Sequence, residues 1–111
     1  MRSDRDRLED ILEAIKKIRE ECPATPEELF GSELLHVWTV YHLQVIGEAA
    51  NNLSDELVAV HQEVPWRRIV AVRTILVHHY FGIDEETVWA MISVDLPALE
   101  ASVRAILEDL P

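Results

Sequence analysis

Apolar residues recur every three or four positions along most of the chain, which is the spacing of one face of an α-helix. The first such run extends from Leu8 to Ile18. It follows Ser3, which has an acidic residue three positions later, as in a helix capping box. The sequence therefore predicts an amphipathic helix that begins after Ser3 and ends near Cys22.

Capping residues and prolines divide the rest of the chain into further helices. Pro26 follows Thr25 as an early-helix proline, and Ser54 can cap a helix that Pro65 interrupts. In the segment between Pro26 and Ser54, apolar positions cover a wide stripe, as expected of a helix at the centre of a bundle. Pro97 is expected to kink or restart the last segment. The helices expected after the first occupy about 26–31, 32–52, 54–62, 66–79 and 84–110.

Glycine is rare and hairpin signals are absent from the sequence. The 111 residues contain 3 glycines and no Asn-Gly or Asp-Gly pair, while Leu, Ala, Glu and Ile are plentiful. We therefore expect an all-α fold, an antiparallel bundle of four to six helices joined by short loops. The length corresponds to a single helical domain with one core, residues 1–111.

No segment has the length and composition of a membrane span or a signal peptide. The longest apolar stretch without Asp, Glu, Lys or Arg runs from Leu34 to Gly47, which is shorter than the roughly 20 residues of a spanning helix. The N-terminus is charged from its second residue. A cytoplasmic protein is expected, and its single cysteine, Cys22, is expected to be a structural or solvated thiol.

The net charge of −11 argues against general, sequence-independent binding of nucleic acid, because basic side chains drive such binding. The charge is unevenly distributed, however. Residues 64–83 include no Asp or Glu but contain Arg67, Arg68 and Arg73. This basic window is where we expect an anionic substrate to be tolerated.

One short stretch of the basic window concentrates acid–base and anion-binding groups, since Arg73, His78, His79 and Tyr80 lie close together. Arginine offers a permanently charged planar fork for phosphate oxygens, and histidine exchanges a proton near neutral pH. Together they suffice in principle to cleave a phosphodiester without a metal. The histidine would take the proton of a 2′-hydroxyl, and the arginine would stabilise the charge on the transition state.

The spacing of Arg73 and His78 places them on different faces of an ideal helix, because five residues at about 100° each leave them about 140° apart. Three arrangements would bring them together: the reach of the arginine side chain, loosening of the helix before Gly82, or a second copy of the helix across a two-fold axis. The helix predicted over residues 66–79 is apolar on more than one face, which favours a homodimer.

The basic window contains an R-x4-H-x-Y pattern, formed by Arg73, His78 and Tyr80. This pattern resembles the motif of HEPN-domain toxins, specifically the HepT-like toxins encoded beside a minimal nucleotidyltransferase (MNT) antitoxin. The flanking residues 64–69 and 80–82 resemble the same family, as do the segments 5–12 and 44–54. The resemblance covers nearly the whole chain, and the motif combined with its surroundings is specific.

The resemblance implies an all-α HEPN bundle that forms a homodimer and cuts RNA without a metal or another cofactor, with Arg73 and His78 as catalytic residues. It also implies a toxin–antitoxin pair in which the MNT antitoxin transfers AMP to the motif tyrosine, here Tyr80. Added nucleotides would bring negative charge and bulk to the mouth of the cleft and repel RNA. Thr74 stands where the family often has asparagine, and its hydroxyl can still hydrogen-bond in a supporting role.

Each of these residues also has a structural interpretation. Arg73 could be a solvated or salt-bridged side chain, His78 a packed histidine at a helix end, and Tyr80 a boundary aromatic. For His79 the motif spacing favours the structural interpretation over a supporting role. Glu48 could approach Arg73 and orient it, or it could be a solvated helix residue.

Other histidines and the tryptophans are expected to serve packing. His36 and His42 lie six positions apart, which is not the spacing of two ligands of one metal on a helix. Trp38, Trp66 and Trp89 each lie in an apolar helical pattern and are expected as core anchors.

A function of a different class remains open beside the ribonuclease. The chain could be a non-catalytic helical module that binds a nucleotide or holds its nucleotidyltransferase partner. Thr74 and the acidic remainder of the chain are compatible with this alternative. An intact fold without RNA cleavage at high protein concentration would favour it.

Overall fold

The computed structural model describes residues 2–78 and 85–111, and the side chains of all of these except 74–78. This part of the chain contains helices and no strand, which confirms the all-α fold class. The helices are α1 (Asp4–Glu21), α2 (Pro26–Phe30), α3 (Glu33–Asn51), α4 (Asp55–Val60), α5 (Trp66–His78), α6 (Glu85–Ala90) and α7 (Leu96–Asp109). If residues 85–109 are counted as one interrupted helix, the described residues form six helices.

Side-chain caps fix where the first four helices begin. Ser3, Thr25, Ser32 and Ser54 each accept a hydrogen bond from the backbone N–H three residues later, at 3.1–3.2 Å. At α1 the Asp6 carboxylate also accepts from the Ser3 backbone N–H, which completes the predicted capping box. These bonds satisfy N–H groups that have no partner inside the helix. The starts of α1, α2 and α4 follow the sequence prediction for this local reason.

The last helical region is interrupted before Pro97. Residues Met91–Asp95 form a π-helical turn between α6 and α7. Pro97 then occupies the first turn of α7, and because it has no N–H to donate, a change in the helical hydrogen-bond pattern just before it is expected. This change of helix type agrees with the expected kink or restart at Pro97, whereas residues 79–84, which include the expected helix boundaries at 79 and 84, lie outside the described residues.

The hydrophobic core lies between α1, α3, α5 and α7. Helix α3 packs against both α1 and α5, and α7 packs against α1, so α3 has the central position that its wide apolar stripe predicts. The largest fully buried side chains of α1 and α7 come from the predicted apolar positions: Leu8, Ile11, Ile15, Ile18 and Val103. On α3 the buried face is turned from the predicted stripe, since Leu43 is fully buried whereas Leu34 and Tyr41 are exposed. Burial of each such side chain stabilises the fold by about 1.5–3 kcal/mol relative to exposure. No helix in the described part of the chain is long and apolar enough to cross a membrane.

A single glycine sets the distance between α3 and α5. A Cβ atom at Gly47 would lie 3.1 Å from Arg73 Cβ, 3.2 Å from Arg73 N and 3.4 Å from the Ile69 carbonyl oxygen. Carbon atoms in ordinary contact are about 3.5–4.0 Å apart, so a larger residue would push the helices apart. Gly47 therefore lets α5 approach α3 closely at the position of Arg73.

The tryptophans differ in burial. Trp66 is buried and donates its indole N–H to the His61 carbonyl at 2.9 Å, as expected of a core anchor. Trp38 is 37% exposed, and its indole N–H donates to the Lys17 carbonyl at 3.0 Å. The prediction of a core anchor is therefore wrong for Trp38, because α1 covers the ring only in part. Trp89 is half-buried.

Candidate functional site

The Arg73 guanidinium is held against α3 by a charged hydrogen bond. Arg73 lies on the side of α5 that faces α3, and its Nη1 donates to Glu48 Oε2 at 2.6 Å. The Arg73 side chain is 37% exposed, so part of its fork remains accessible to solvent. Arginine has five N–H donors. The pair with Glu48 therefore fixes the guanidinium and leaves donors available to an anionic ligand.

Glu48 is itself oriented by Asn52, one turn later on α3. The Asn52 side-chain amide donates to Glu48 Oε1 at 3.1 Å and to the Glu48 carbonyl at 2.8 Å. The hydrogen bonds from Arg73 and then from Asn52 lower the pKa of the Glu48 carboxyl, so it is ionised at neutral pH. Of the two interpretations of Glu48, the one in which it approaches and orients Arg73 agrees with the structure.

Helix α5 continues without interruption from Arg73 to His78. The two Cα positions are therefore about 140° apart around the helix axis and about 7.5 Å apart along it. The helix is not loosened between these two residues, and the rest of the segment before Gly82, from residue 79, lies outside the described residues. The reach of the arginine side chain and a second copy remain the other two means of convergence.

The remaining predicted site residues either have side chains outside the described atoms or lie outside the described residues altogether. Thr74 and His78 belong to α5 by their backbone, but their side chains are outside the described atoms. His79 and Tyr80 lie outside the described residues altogether. The catalytic, supporting and modification roles assigned to these four residues stay predictions.

An open groove of about 550 Å³ begins at Arg73 and continues between α1 and α3. We call it the α1–α3 groove. Its lining residues are Arg2, Arg7, Asp10, Tyr41, Gln44, Val45, Glu48, Ala49 and Arg73. Sequence reasoning missed this surface, because the groove joins parts of the chain that are far apart in sequence. One signal was present: Tyr41, Gln44 and Glu48 follow one another at spacings of three and four, on one face of α3.

The basic window does not form one basic patch. Arg68 donates to Asp95 at 3.0 Å and lines a different cavity from Arg73. The positive charge near Arg73 comes instead from Arg2 and Arg7 of the N-terminal region. Arg68 and Arg73 therefore belong to different surfaces, because residues at a spacing of five point to different sides of a helix.

The histidines of α3 serve packing, as expected. His42 is buried, with its ring edge-on to Trp38 and Tyr41 at centroid distances of 4.5 and 4.9 Å. Burial, followed by the charge of Lys17, lowers the pKa of His42. The His36 ring packs edge-on against Phe30 at 5.5 Å.

Cys22 and the acidic residues show no sign of a metal centre within the described residues. The Cys22 thiol is half-buried, and burial raises its pKa, in agreement with a structural thiol. In the described ranges, 2–78 and 85–111, no group of three or more His, Cys, Asp or Glu side chains is arranged to hold a metal ion.

Comparison with protein families places these observations in context. The family model described as "Ribonuclease HepT-like" matches residues 11–106, which include α3, α5 and the pair Glu48–Arg73. No solved structure matches the chain.

Several proteins of similar length resemble the chain. A protein from Thermococcus cleftensis named "Probable ribonuclease HepT" is 38% identical over 109 residues, which cover 95% of this chain and 96% of the relative. A "Putative RNase" from Caldanaerobacter subterraneus subsp. tengcongensis is 35% identical over 109 residues, 97% of each chain. A "Putative RNase" from Methanocaldococcus jannaschii is 32% identical over 104 residues, 93% of this chain and 86% of the relative.

Proposed function

Because the chain belongs to the HepT-like ribonuclease family, we propose that it is a metal-independent endoribonuclease in which Arg73 and His78 are the catalytic residues. The observation that carries the proposal is the fixed position of Arg73. Its guanidinium is held by Glu48 at one end of an open groove, five residues before His78 on the same helix. A cation held in place before the substrate arrives needs no reorganisation during the reaction.

The proposed reaction is an internal transfer within the RNA backbone. His78 takes the proton of a 2′-hydroxyl, and the 2′-oxygen attacks the adjacent phosphorus. The bond from phosphorus to the 5′-oxygen breaks, and this oxygen takes up a proton from water. Arg73 stabilises the extra negative charge on the phosphorane through its free N–H groups. The products are a 2′,3′-cyclic phosphate and a 5′-hydroxyl.

A homodimer is part of the proposal, for a geometric reason. The unbroken helix leaves Arg73 and His78 about 140° apart, and Arg73 is turned toward α3 by Glu48. A second copy related by a two-fold axis would bring the arginine of one chain and the histidine of the other to a shared cleft. Val70 and Ala71, on α5, are only half-buried in the single chain and leave apolar surface for such a contact.

The regulation that we propose is that of a type VII-like toxin–antitoxin pair in the cytoplasm. An MNT-type nucleotidyltransferase would transfer AMP to the Tyr80 hydroxyl, with release of pyrophosphate from ATP. Tyr80 follows His78 by two residues, so the added phosphate would place negative charge beside the catalytic residues. The modified toxin would then repel RNA.

The test is cleavage of a mixed RNA pool, including tRNA, by the purified protein in EDTA. We expect the wild-type protein to produce 2′,3′-cyclic phosphate ends, and His78→Ala and Arg73→Ala to be inactive. His61→Ala and Arg104→Ala serve as matched controls, because both residues lie outside the α1–α3 groove and the motif. Circular dichroism shows whether each variant is folded.

Two outcomes would contradict the proposal. Cleavage that disappears in EDTA would contradict metal independence. Equal inactivity of wild type and both variants, all folded and with Tyr80 unmodified by intact mass, would favour the non-catalytic module that binds a nucleotide or its nucleotidyltransferase partner. In that case the pair Arg73–Glu48 would be an ordinary structural ion pair.

A further inference from the structure

The net charge of the α1–α3 groove is more positive than that of the rest of the protein. The groove is lined by three arginines and two carboxylates, in a chain whose net charge is −11. The neighbouring groove on the other side of α1 has the opposite balance, with Lys16, Arg19 and Arg104 outnumbered by four glutamates. Of these two open surfaces, only the one that contains Arg73 is therefore suited to a polyanion.

Arg7 is the arginine of this groove whose charge is not used by an acidic partner. Arg2 pairs with Asp10, and Arg73 pairs with Glu48. Among the described residues, 2–78 and 85–111, Arg7 makes no salt bridge, although its charge helps to lower the pKa of Glu48. Arg7 therefore lines the same groove as the Arg73–Glu48 pair, and no acidic side chain among the described residues occupies its donors.

Helix α1 holds Arg7 on a fixed backbone. One turn before Arg7, the Asp4 carboxylate accepts hydrogen bonds from the Ser54 backbone N–H at 2.8 Å and from the Ser54 hydroxyl at 2.6 Å. These bonds attach the first turn of α1 to the start of α4. The distance between Arg7 and the α3 side of the groove is thus set by the fold and not by a loop.

Tyr41 presents an aromatic ring in the same groove. Its side chain is 59% exposed, so a ligand in the groove can reach the ring. The ring lies roughly perpendicular to the buried His42 ring at a centroid distance of 4.9 Å, so its orientation is restricted before any ligand binds. Gln44, a residue with both donors and acceptors, follows one turn later on the groove side. A free arginine beside an exposed ring is the combination with which proteins bind single-stranded nucleic acid.

We propose that the α1–α3 groove is a subsite for single-stranded RNA, in which Arg7 binds a phosphate next to the scissile one and Tyr41 stacks on a base. This inference rests on the proposed ribonuclease function, because it places the cleaved phosphate at Arg73. The charge of the groove favours RNA as its occupant.

The experiment measures binding separately from cleavage. A fluorescent oligonucleotide with 2′-O-methyl groups cannot undergo 2′-oxygen attack, so its anisotropy reports affinity alone. We expect Tyr41→Ala to weaken binding about 10-fold, as loss of one stacked base does, and Tyr41→Phe to retain most of the affinity. Arg7→Gln should weaken binding by a similar factor and reduce the salt slope by about 0.7. Arg104→Gln, outside the groove, is the matched control for loss of one positive charge.

Cleavage kinetics provide the second readout. If the wild type cuts RNA, the loss in Arg7→Gln and Tyr41→Ala should appear in KM and not in kcat, because the subsite binds substrate and transition state alike. Wild-type affinity in both variants would overturn the proposal, as would failure of the wild type to bind the oligonucleotide. Tyr41→Ala protein that changes oligomeric state in size-exclusion chromatography would assign Tyr41 to a protein interface instead. Binding without cleavage would refute the ribonuclease and retain the groove as an RNA site.

Discussion

Substitution of Gly47 by alanine tests whether the close approach of α3 and α5 positions Arg73. The added methyl group would lie 3.1 Å from Arg73 Cβ and 3.2 Å from Arg73 N. Ordinary carbon contacts are about 3.5–4.0 Å, so α5 must move outward by about half an ångström. Both neighbouring atoms belong to the backbone or are bonded to it, and a side-chain rotation cannot relieve the contact.

The expected change in the free energy of unfolding is the balance of two opposing terms. Overpacking of this kind typically costs about 1–3 kcal/mol. Alanine in a helix interior is about 1 kcal/mol more favourable than glycine. We therefore expect Gly47→Ala to be destabilised by about 1 kcal/mol, which lowers the urea midpoint by about 0.5 M. Gly47→Val, with two further methyl groups, should be less stable again.

The catalytic consequence should exceed the loss of stability. Movement of α5 away from α3 lengthens the hydrogen bond between Arg73 and Glu48, now 2.6 Å, and misplaces the guanidinium. Because misplacement by about 1 Å can cost about 100-fold in rate, we expect a fall in kcat of about 10-fold at half that displacement. The assay is RNA cleavage at 25 °C, where the variant is still folded.

Val37→Ala is the control, because it changes an exposed position of α3 outside the α1–α3 groove. It should leave kcat unchanged. The reasoning is refuted if Gly47→Ala is about 1 kcal/mol more stable than wild type and equally active, since helix propensity alone would then act at this position.

Three further outcomes are expected. Glu48→Gln should lower kcat about 10-fold. It should lower the free energy of unfolding by less than about 1 kcal/mol, because solvent screens the ion pair of Glu48 with Arg73. A variant that cleaves RNA faster than wild type would show that Glu48 competes with the substrate for Arg73. Burial lowers the pKa of His42 in the folded state. The contribution of His42 to stability is therefore complete above the unfolded pKa of about 6.5 and is lost as pH falls through the folded value. Urea unfolding at pH 7.5 and 5.5 should show a smaller pH effect in His42→Gln than in wild type, and equal effects would contradict this. Ser3→Ala removes the side-chain acceptor of the α1 capping box and should lower the free energy of unfolding, measured in urea, by about 1 kcal/mol. An unchanged urea midpoint would show that this cap contributes nothing to the stability of the folded state.

Some features of the site follow from local sequence, and others do not. The backbone course of α5 from Trp66 to His78 agrees with its apolar pattern, so the 140° angle between Arg73 and His78 could be worked out in advance. From the sequence, the approach of Glu48 to Arg73 was one of two alternatives, the other being a solvated Glu48. The hydrogen bond between the two residues depends on how closely α5 approaches α3. The contribution of Arg7 to the groove depends in the same way on the packing of α1 against α3.

The sequence by itself determined the helices and the buried faces of α1 and α7, because caps such as Ser3 and Ser54 and the three-to-four spacing of apolar residues act within one or two turns. The buried face of α3 depended on which helices pack against it. Tertiary structure alone decided which helix surfaces meet. It placed Gly47 against Arg73, left more than a third of Trp38 exposed, and put Arg68 and Arg73 of the basic window in different cavities. These outcomes depend on distances between residues far apart in the chain, and such distances are fixed only when the helices pack into one core.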